Sequence, residues 1–255
     1  MHFMYMSQII TQVNNTFTTT KQDLTQIFKS LDNLVTEATL TLDHEGLTCR
    51  CMDPSHVSLI DMSIISHDFE TYNIEDEIKI SLNVKEFLKI LKELDNDAIT
   101  ISIKKDTIEL DQNGFNFKVN RLENSDHDCP IPKIPYDSEI SFPGLENLEI
   151  VKTFRKINSL SDYITFESID KRLELSGSGD NGKTSITLDE SKVLVLSNND
   201  SISTYSLEYI VPFLKSMHKK TKVKMQFSST KPIRIETNIG AQSRIHFYLA
   251  PRVEN

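Results

Sequence analysis

The chain has 255 residues, with 37 acidic against 28 basic side chains and a formal net charge of −9. That length admits one large domain or two ordinary ones. No apolar run approaches the ~18 residues of a membrane span, three cysteines suit a reducing compartment rather than a disulfide framework, and the acid excess argues against a phosphate-binding surface on all sides.

Met1 to Ile10 is apolar but short, without a basic n-region or clear cleavage site, and is not read as a signal peptide. Residues up to Thr16-Phe17 read as a first strand after a loose start. Thr18 to Thr20 supply capping hydroxyls, and Lys21 to about Glu37 reads as a helix with the apolar stripe Ile27, Phe28, Leu31 and Leu34. Leu40 and Leu42 alternate with polar residues, Asp43 to Gly46 turns, and Leu47, Cys49 and Cys51 alternate again, which predicts a β-hairpin. Val57 to Ile64 is a further strand. Asn83-x-x-Glu86 resembles a capping box and opens a second helix with the stripe Val84, Phe87, Leu88, Leu91 and Leu94. Three alternating strands follow, around Ile101, Ile108 and Phe117, with Asn113-Gly114 as the turn between the last two. Asn124 to Pro135 is polar and acidic and then carries Pro130, Pro132 and Pro135, so it reads as a linker.

After the linker the order repeats. A helix is expected near 146–158, a hairpin from Ile164 through Leu175, strands around Ile186 and Val193, a helix from about Ser206 to Met217, and strands around Val223, Ile233 and His246. The first helix stripe returns as Ile150, Val151, Phe154 and Ile157, and the second as Leu207, Ile210, Val211, Leu214 and Met217, both displaced by 123 residues. Two patterns sharing one offset indicate a duplication. The expected organisation is a domain over 1–123, a linker over 124–136 and a second domain over 137–255. Many alternating strands with two helices per half predict an α+β fold of antiparallel sheet with helices on one face. Pro212 lies inside the last helix, which must therefore start late or bend.

Gly177-x-x-x-x-Gly182-Lys183-Thr184 fits the phosphate-binding loop pattern letter for letter. That chemistry needs a helix immediately afterwards, with its N–H groups facing the phosphates. Ser185 to Leu188 alternate like a strand instead, so the loop reads as a hairpin turn rather than as the site of a nucleotide-binding enzyme. His44, His56 and His67 with Cys49 and Cys51 fit no tetrahedral spacing, so no metal is expected. No cofactor and no catalytic residue are expected either. The polar helix faces carry more information. The first holds Gln22, Thr25, Gln26, Lys29 and Asn33, the second Lys85, Glu86, Lys89, Lys92 and Glu93, and in the third Lys152, Arg155 and Lys156 follow Glu149. Lys215 ends the fourth, with Lys219 and Lys220 just beyond it. Lys29/Lys152 and Lys92/Lys215 are duplicates at the same offset of 123. Such faces offer long-range attraction to phosphates without base readout.

Three segments carry a resemblance to a known family. They are Leu47 to Ile64, with the loop Met52-Asp53-Pro54-Ser55-His56-Val57; Leu82 to Leu91; and the ending Phe247-Tyr248-Leu249-Ala250-Pro251-Arg252-Val253-Glu254. With the duplication and the mid-chain linker, the sequence resembles DNA sliding clamps of the proliferating cell nuclear antigen type, most like archaeal members. The resemblance implies the ring-forming DNA clamp fold and a homotrimer that encircles duplex DNA without sequence preference. It implies a role as polymerase processivity factor and docking platform in DNA replication and repair, without enzymatic activity. A heterotrimeric ring subunit is the alternative. The implied DNA-facing residues are Lys29, Lys85, Lys89, Lys92, Lys152, Arg155, Lys156, Lys215 and Lys219. An implied socket receives short motifs of a glutamine, an aliphatic and two aromatics from DNA polymerase, clamp loader, flap endonuclease and DNA ligase. It would use Met52, His56, Val57, Leu59, Ile134, Pro135, Pro232, Tyr248, Leu249, Ala250 and Pro251. Subunits would join through Phe115, Phe117 and Val119 on one edge and Thr184 and Ile186 on the other. The implied location is cytoplasmic and nucleoid-associated, or nuclear in a eukaryotic source.

Overall fold

The computed structural model describes residues 15–124, 129–142, 146–170, 172–188, 193–197 and 200–253, with the side chains of 195–197 excepted. The part of the expected first strand before residue 15 lies outside the described residues. Strand β1 runs Thr16–Thr20, longer at its end than expected, and only Thr20 is the cap. Its Oγ1 accepts from the Asp23 N–H at 3.1 Å. Helix α1 is Lys21–Asp32 and stops five residues before the expected end, because β-branched Val35 and Thr36 lead directly into β2, Glu37–Asp43. Strands β3, Gly46–Met52, and β4, Ser58–Ile65, complete the expected hairpin and its neighbour. Two strands not anticipated follow: β5, Thr71–Asn73, and β6, Ile78–Asn83. Helix α2, Val84–Glu93, is capped by Asn83, whose Oδ1 accepts from the Glu86 N–H at 3.0 Å. Strands β7, Ala98–Ile103, β8, Thr107–Gln112, and β9, Phe115–Asn120, close the first half.

The second half repeats this order as β10, Ser138–Ser141, α3, Asn147–Asn158, β11, Tyr163–Ile169, β12, Arg172–Gly179, β13, Gly182–Leu188, and β14, Leu194–Ser197. It ends with β15, Ser201–Ser206, α4, Leu207–Ser216, β16, Val223–Phe227, β17, Ile233–Ile239, and β18, Ser243–Leu249. Helix α4 does not start late: Pro212 is interior, so the Glu208 carbonyl lacks its usual helical donor. The phosphate-loop look-alike is the β12–β13 hairpin, with Gly179 facing Gly182. Two of its glycines are there for packing. A Cβ on Gly177 would come within 2.5 Å of the Ile157 side chain, and one on Gly179 within 2.1 Å of the Leu160 carbonyl oxygen. The hairpin thus passes tightly over the end of α3.

Among the described residues every strand pairing is antiparallel, in three sheets. One has the order β5-β1-β7-β8-β9, a second β13-β12-β11-β15, and the third β14-β10-β16-β17-β18-β4-β3-β2-β6. The third sheet crosses from one half to the other where β18 pairs with β4, Ile245 facing Met62 and Phe247 facing Ile60. The apolar residues of both halves accordingly form one continuous buried cluster. Phe28 of α1 lies tilted against Phe87 of α2 with ring centroids 4.2 Å apart, and Phe213 of α4 stacks on Phe247 of β18 at 4.6 Å. Burial of each such side chain contributes roughly 1.5–3 kcal/mol. The helices pack α1 on α2, α3 on α4 and α1 on α4, so they form one row in the order α2-α1-α4-α3.

Candidate functional site

The row of helices buries its apolar stripes and leaves the basic side chains outside. Lys29, Lys85, Lys89, Lys92, Lys152, Arg155, Lys156, Lys215 and Lys219 are all exposed. Between α1 and α2 opens a cleft of about 520 Å³ where Lys21, Lys29, Lys85, Lys89 and Lys92 converge with Asp32. Sequence reasoning missed Lys21. Its ammonium donates to the Lys92 carbonyl at 3.4 Å and to the Leu94 carbonyl, so it caps the C-terminus of α2, where cations are favoured. Gln26 does not belong to the polar face. It is buried where α1 meets α4: its Nε2 donates to the Asn238 carbonyl at 3.3 Å, and its Oε1 accepts from the His218 N–H at 3.1 Å. The amphipathic pattern of α1 shows one buried face, whereas the helix has two, because α4 covers its flank.

On the outer face of the long sheet, the loop before β4 winds around Asp53, which is buried. One of its carboxylate oxygens accepts from the N–H groups of Val57 at 2.9 Å and Ser58 at 2.6 Å, and the other from the Ser55 N–H at 3.0 Å. This wrapping holds His56 at a positive φ of 58° and leaves its ring exposed. The Ala250 N–H donates to the Val57 carbonyl at 2.8 Å, extending the β18–β4 ladder by one bond. Pro251 cannot donate, so the chain then leaves this sheet. The Arg252 N–H donates to the Thr204 carbonyl at 2.8 Å, and its guanidinium lies 4.0 Å from the Tyr163 ring centroid.

Met52, Leu59 and Tyr248 come together in a small apolar cluster separate from the main core. From the linker it receives Cys129 and Ile131, not the expected Ile134 and Pro135. Ile134 and Pro232 are half-buried and Pro135 is exposed. The Cys-x-Ile spacing between prolines was the available signal, since residues two apart in an extended chain share a side. Leu249 is a correction. It is only 1 % exposed and belongs to the main core, because neighbours on a strand point to opposite faces and Tyr248 faces outward.

Strands β9 and β13 each end a sheet, so each offers an unpaired edge. Phe115 is 69 % exposed there, Phe117 and Ile186 pack partly on the core, Val119 is buried and Thr184 half-buried. Among the described residues no group of three His, Cys, Asp or Glu side chains is placed to hold a metal ion. Cys49 and Cys51 share the inward face of β3. A hydrogen bond with Cys51, together with burial, pushes the Cys49 thiol well above its usual range.

Known proteins similar to this chain bear on these surfaces. The proliferating cell nuclear antigen N-terminal domain matches residues 17–139 and the C-terminal domain of the same protein matches 130–252. The chain is 40 % identical over 245 residues to the DNA polymerase sliding clamp of Nitrosopumilus maritimus, covering 93 % of this chain and 98 % of that one. It is 38 % identical, with the same coverage, to that of Cenarchaeum symbiosum. Among solved structures, the fold matches A. fulgidus proliferating cell nuclear antigen bound to the C-terminal region of FEN-1, with TM-score 0.87 at 21 % identity over 94 % of this chain and 99 % of that one. The PCNA2–PCNA3 complex of Sulfolobus tokodaii matches with TM-score 0.82 at 26 % identity, over 94 % of this chain and 100 % of that one. Two domain matches end to end, on a duplicated fold with its basic residues along one row of helices, make this chain a member of the proliferating cell nuclear antigen family of DNA polymerase sliding clamps.

Proposed function

We propose that three copies of this chain close a ring around duplex DNA, with the helix row inward and the sheets outward. The ring acts as a processivity factor and docking platform in the cytoplasm, without catalysis of its own. One observation carries the reading: the joint inside the chain is a template for the joint between chains. In the duplication β18 corresponds to β9 and β4 to β13. Inside the chain β18 and β4 pair, while β9 and β13 are both left open. Aligning the hairpins carries the internal register over to the open edges. Asp43 facing Gly46 corresponds to Ile169 facing Arg172, and Gln112 facing Phe115 corresponds to Ile239 facing Ser243. Phe117 then meets Ile186 of the next copy where Ile245 meets Met62, and Val119 meets Thr184 where Phe247 meets Ile60. The inward side chains fall opposite inward side chains, which a register slipped by one residue would not give. Pairing β9 with β13 is head-to-tail, and a head-to-tail contact closes a ring when its rotation divides the circle.

The inward lysines supply weak, exchangeable phosphate contacts, and the acid excess elsewhere discourages nonspecific sticking. Met52, Leu59 and Tyr248, with Cys129 and Ile131, form the floor of a socket for glutamine–aliphatic–aromatic motifs, rimmed by His56, Val57, Ala250 and Pro251. Polymerase, clamp loader, flap endonuclease and ligase are the expected classes of partner. A heterotrimer is the second reading, favoured by the likeness to the Sulfolobus tokodaii complex of two different chains. Mass measurement of the purified 29.2 kDa chain separates the two. A trimer of this one chain is expected, and a monomer at every concentration overturns the homotrimer.

A further inference from the structure

The proposed socket is only half of a longer row. Across the outer face of the long sheet, strand registers place Glu139 opposite Gln226, Gln226 opposite Arg234, Arg234 opposite Tyr248, Tyr248 opposite Leu59, and Leu59 opposite Met52. The row changes from polar to apolar between Arg234 and Tyr248, one strand spacing of about 4.8 Å. The apolar end is the cluster that Cys129 and Ile131 cover. At the polar end, three buried atoms have no hydrogen-bond partner among the described residues: Gln226 Oε1, Arg234 Nε and the Tyr136 hydroxyl. They belong to neighbours. Gln226 and Arg234 are a cross-strand pair, and the Arg234 guanidinium lies 6.0 Å from the Tyr136 ring centroid.

Each of these atoms carries the desolvation cost of a polar group without the bond that offsets it, and native structures hold few such atoms. The orientation of Gln226 is set by its own bonding. Its Nε2 donates to Glu139 Oε2 at 2.8 Å, which turns Oε1 the other way. The unmet demand is therefore the Nε donor of Arg234, whose guanidinium is otherwise engaged by Glu236 and Tyr248, with one acceptor and one hydroxyl. A carboxylate would accept from Arg234 but would face Gln226 Oε1, with Glu139 and Glu236 close by. An ammonium would face the guanidinium. A carboxamide meets the polar demand and leaves the Tyr248–Leu59 end uncovered. A phenol serves Arg234 and Gln226 and covers the apolar end as well: its hydroxyl accepts from Arg234 Nε–H and donates to Gln226 Oε1, and its ring lies on Tyr248 and Leu59.

We propose that this row selects tyrosine over phenylalanine at the aromatic positions of a docked motif, with Arg234 as the specificity-determining residue. The inference rests on the docking reading. The Gln226 and Arg234 atoms are closed over in the free chain, so seating the motif requires the Tyr136 side chain beside Arg234 to turn aside.

The test uses two synthetic peptides that share the glutamine and aliphatic positions and carry either two tyrosines or two phenylalanines. Calorimetry on the assembled protein should give the tyrosine peptide about a tenfold advantage. Arg234→Met should bring the two affinities together by weakening the tyrosine peptide alone, with its unfolding midpoint as the check on folding. Gln226→Leu serves the same purpose should Arg234→Met fail to fold. Equal affinities on the unaltered protein, or a preference that survives the substitution, overturn the inference and leave docking intact. Failure of both peptides to bind overturns docking and the inference together.

Discussion

At the scale of single residues, two aspartates secure the place where the halves meet. Asp53 organises the loop that brings Val57 to Ala250. Asp68, in the short 3-10 turn Ser66–Asp68 after β4, reaches across to the β17–β18 turn. Its carboxylate accepts from the N–H groups of Ala241, Gln242 and Ser243 at 3.1, 3.0 and 2.8 Å, and from Ser243 Oγ at 2.6 Å. The turn needs glycine at Gly240, where φ is +69° and a Cβ would lie 2.7 Å from the Asp68 carboxyl carbon. Burial pushes the Asp68 carboxyl up, but the bonds from Ser243, Gln242 and Ala241 together hold it below its usual range. A carboxyl depressed in the folded chain stabilises fully above its unfolded value near 4, and the contribution is lost as pH falls through the folded value. Asp68→Asn should therefore lower stability by about 1–2 kcal/mol at neutral pH, since part of the site is open to water. Denaturant midpoints should show the two proteins converging as pH drops below about 4. A gap that stays constant with pH would mean that the carboxylate charge is not what the turn recognises.

At the scale of elements, the legible parts were those with one buried face. Helices α2 and α3 and the hairpin strands β2, β3, β7, β8 and β9 show their periodicity in the sequence, because one side meets core and the other water. The strands that were missed fail that condition or are short. Ser201 and Ser203 of β15 are buried at 3 % and 5 % beside Tyr205, so two of the three inward positions are polar and no hydrophobic alternation shows. Strand β5 has three residues, too few to show a period. Strand β6 does alternate Ile78, Ile80 and Leu82, and its pattern was hidden by running straight into α2. The pairing of β18 with β4 has no local signature, being a contact between distant segments. For the same reason the single core went unread, as did the parts of Cys129 and Ile131 in the socket. The duplication is also broken where it would have mattered. The positions matching Met52, Leu59 and Tyr248 are Ser178, Lys183 and Asn120, so the open edges offer no second apolar socket. The basic helix faces are likewise unequal. Helix α1 sets Asp23 and Asp32 against Lys21 and Lys29, whereas α2 presents Lys85, Lys89 and Lys92 against Glu86 and Glu93. Reversing Lys89 and Lys92 to glutamate should thus weaken DNA association at least tenfold at low salt and flatten its salt dependence, leaving assembly unchanged. Titration of duplex DNA at several salt concentrations checks this, and an unaltered salt slope removes α2 from the DNA-facing surface.

For the whole molecule, the decisive property is that the two sheet edges proposed to join, β9 and β13, are different strands. An interface that used the same patch twice would stop at a dimer, whereas joining β9 to β13 demands both edges of every chain. That difference can be read from mixtures. Phe117→Asp spoils only the β9 edge, and Ile186→Asp only the β13 edge, in each case by placing a charge opposite an apolar partner that has left water. Neither variant alone retains a β9 edge and a β13 edge that match, so both should be monomeric at concentrations where the unaltered chain is expected to be trimeric. Mixed, they share one good pair: the β9 edge of the Ile186→Asp chain and the β13 edge of the Phe117→Asp chain. The mixture should therefore give a 1:1 dimer and nothing larger, visible by mass measurement. Trimers from either variant alone would show that the seam does not run through these strands. Monomers from Phe117→Asp with dimers of Ile186→Asp would show β9 pairing with itself, and a ring built head-to-tail would be ruled out.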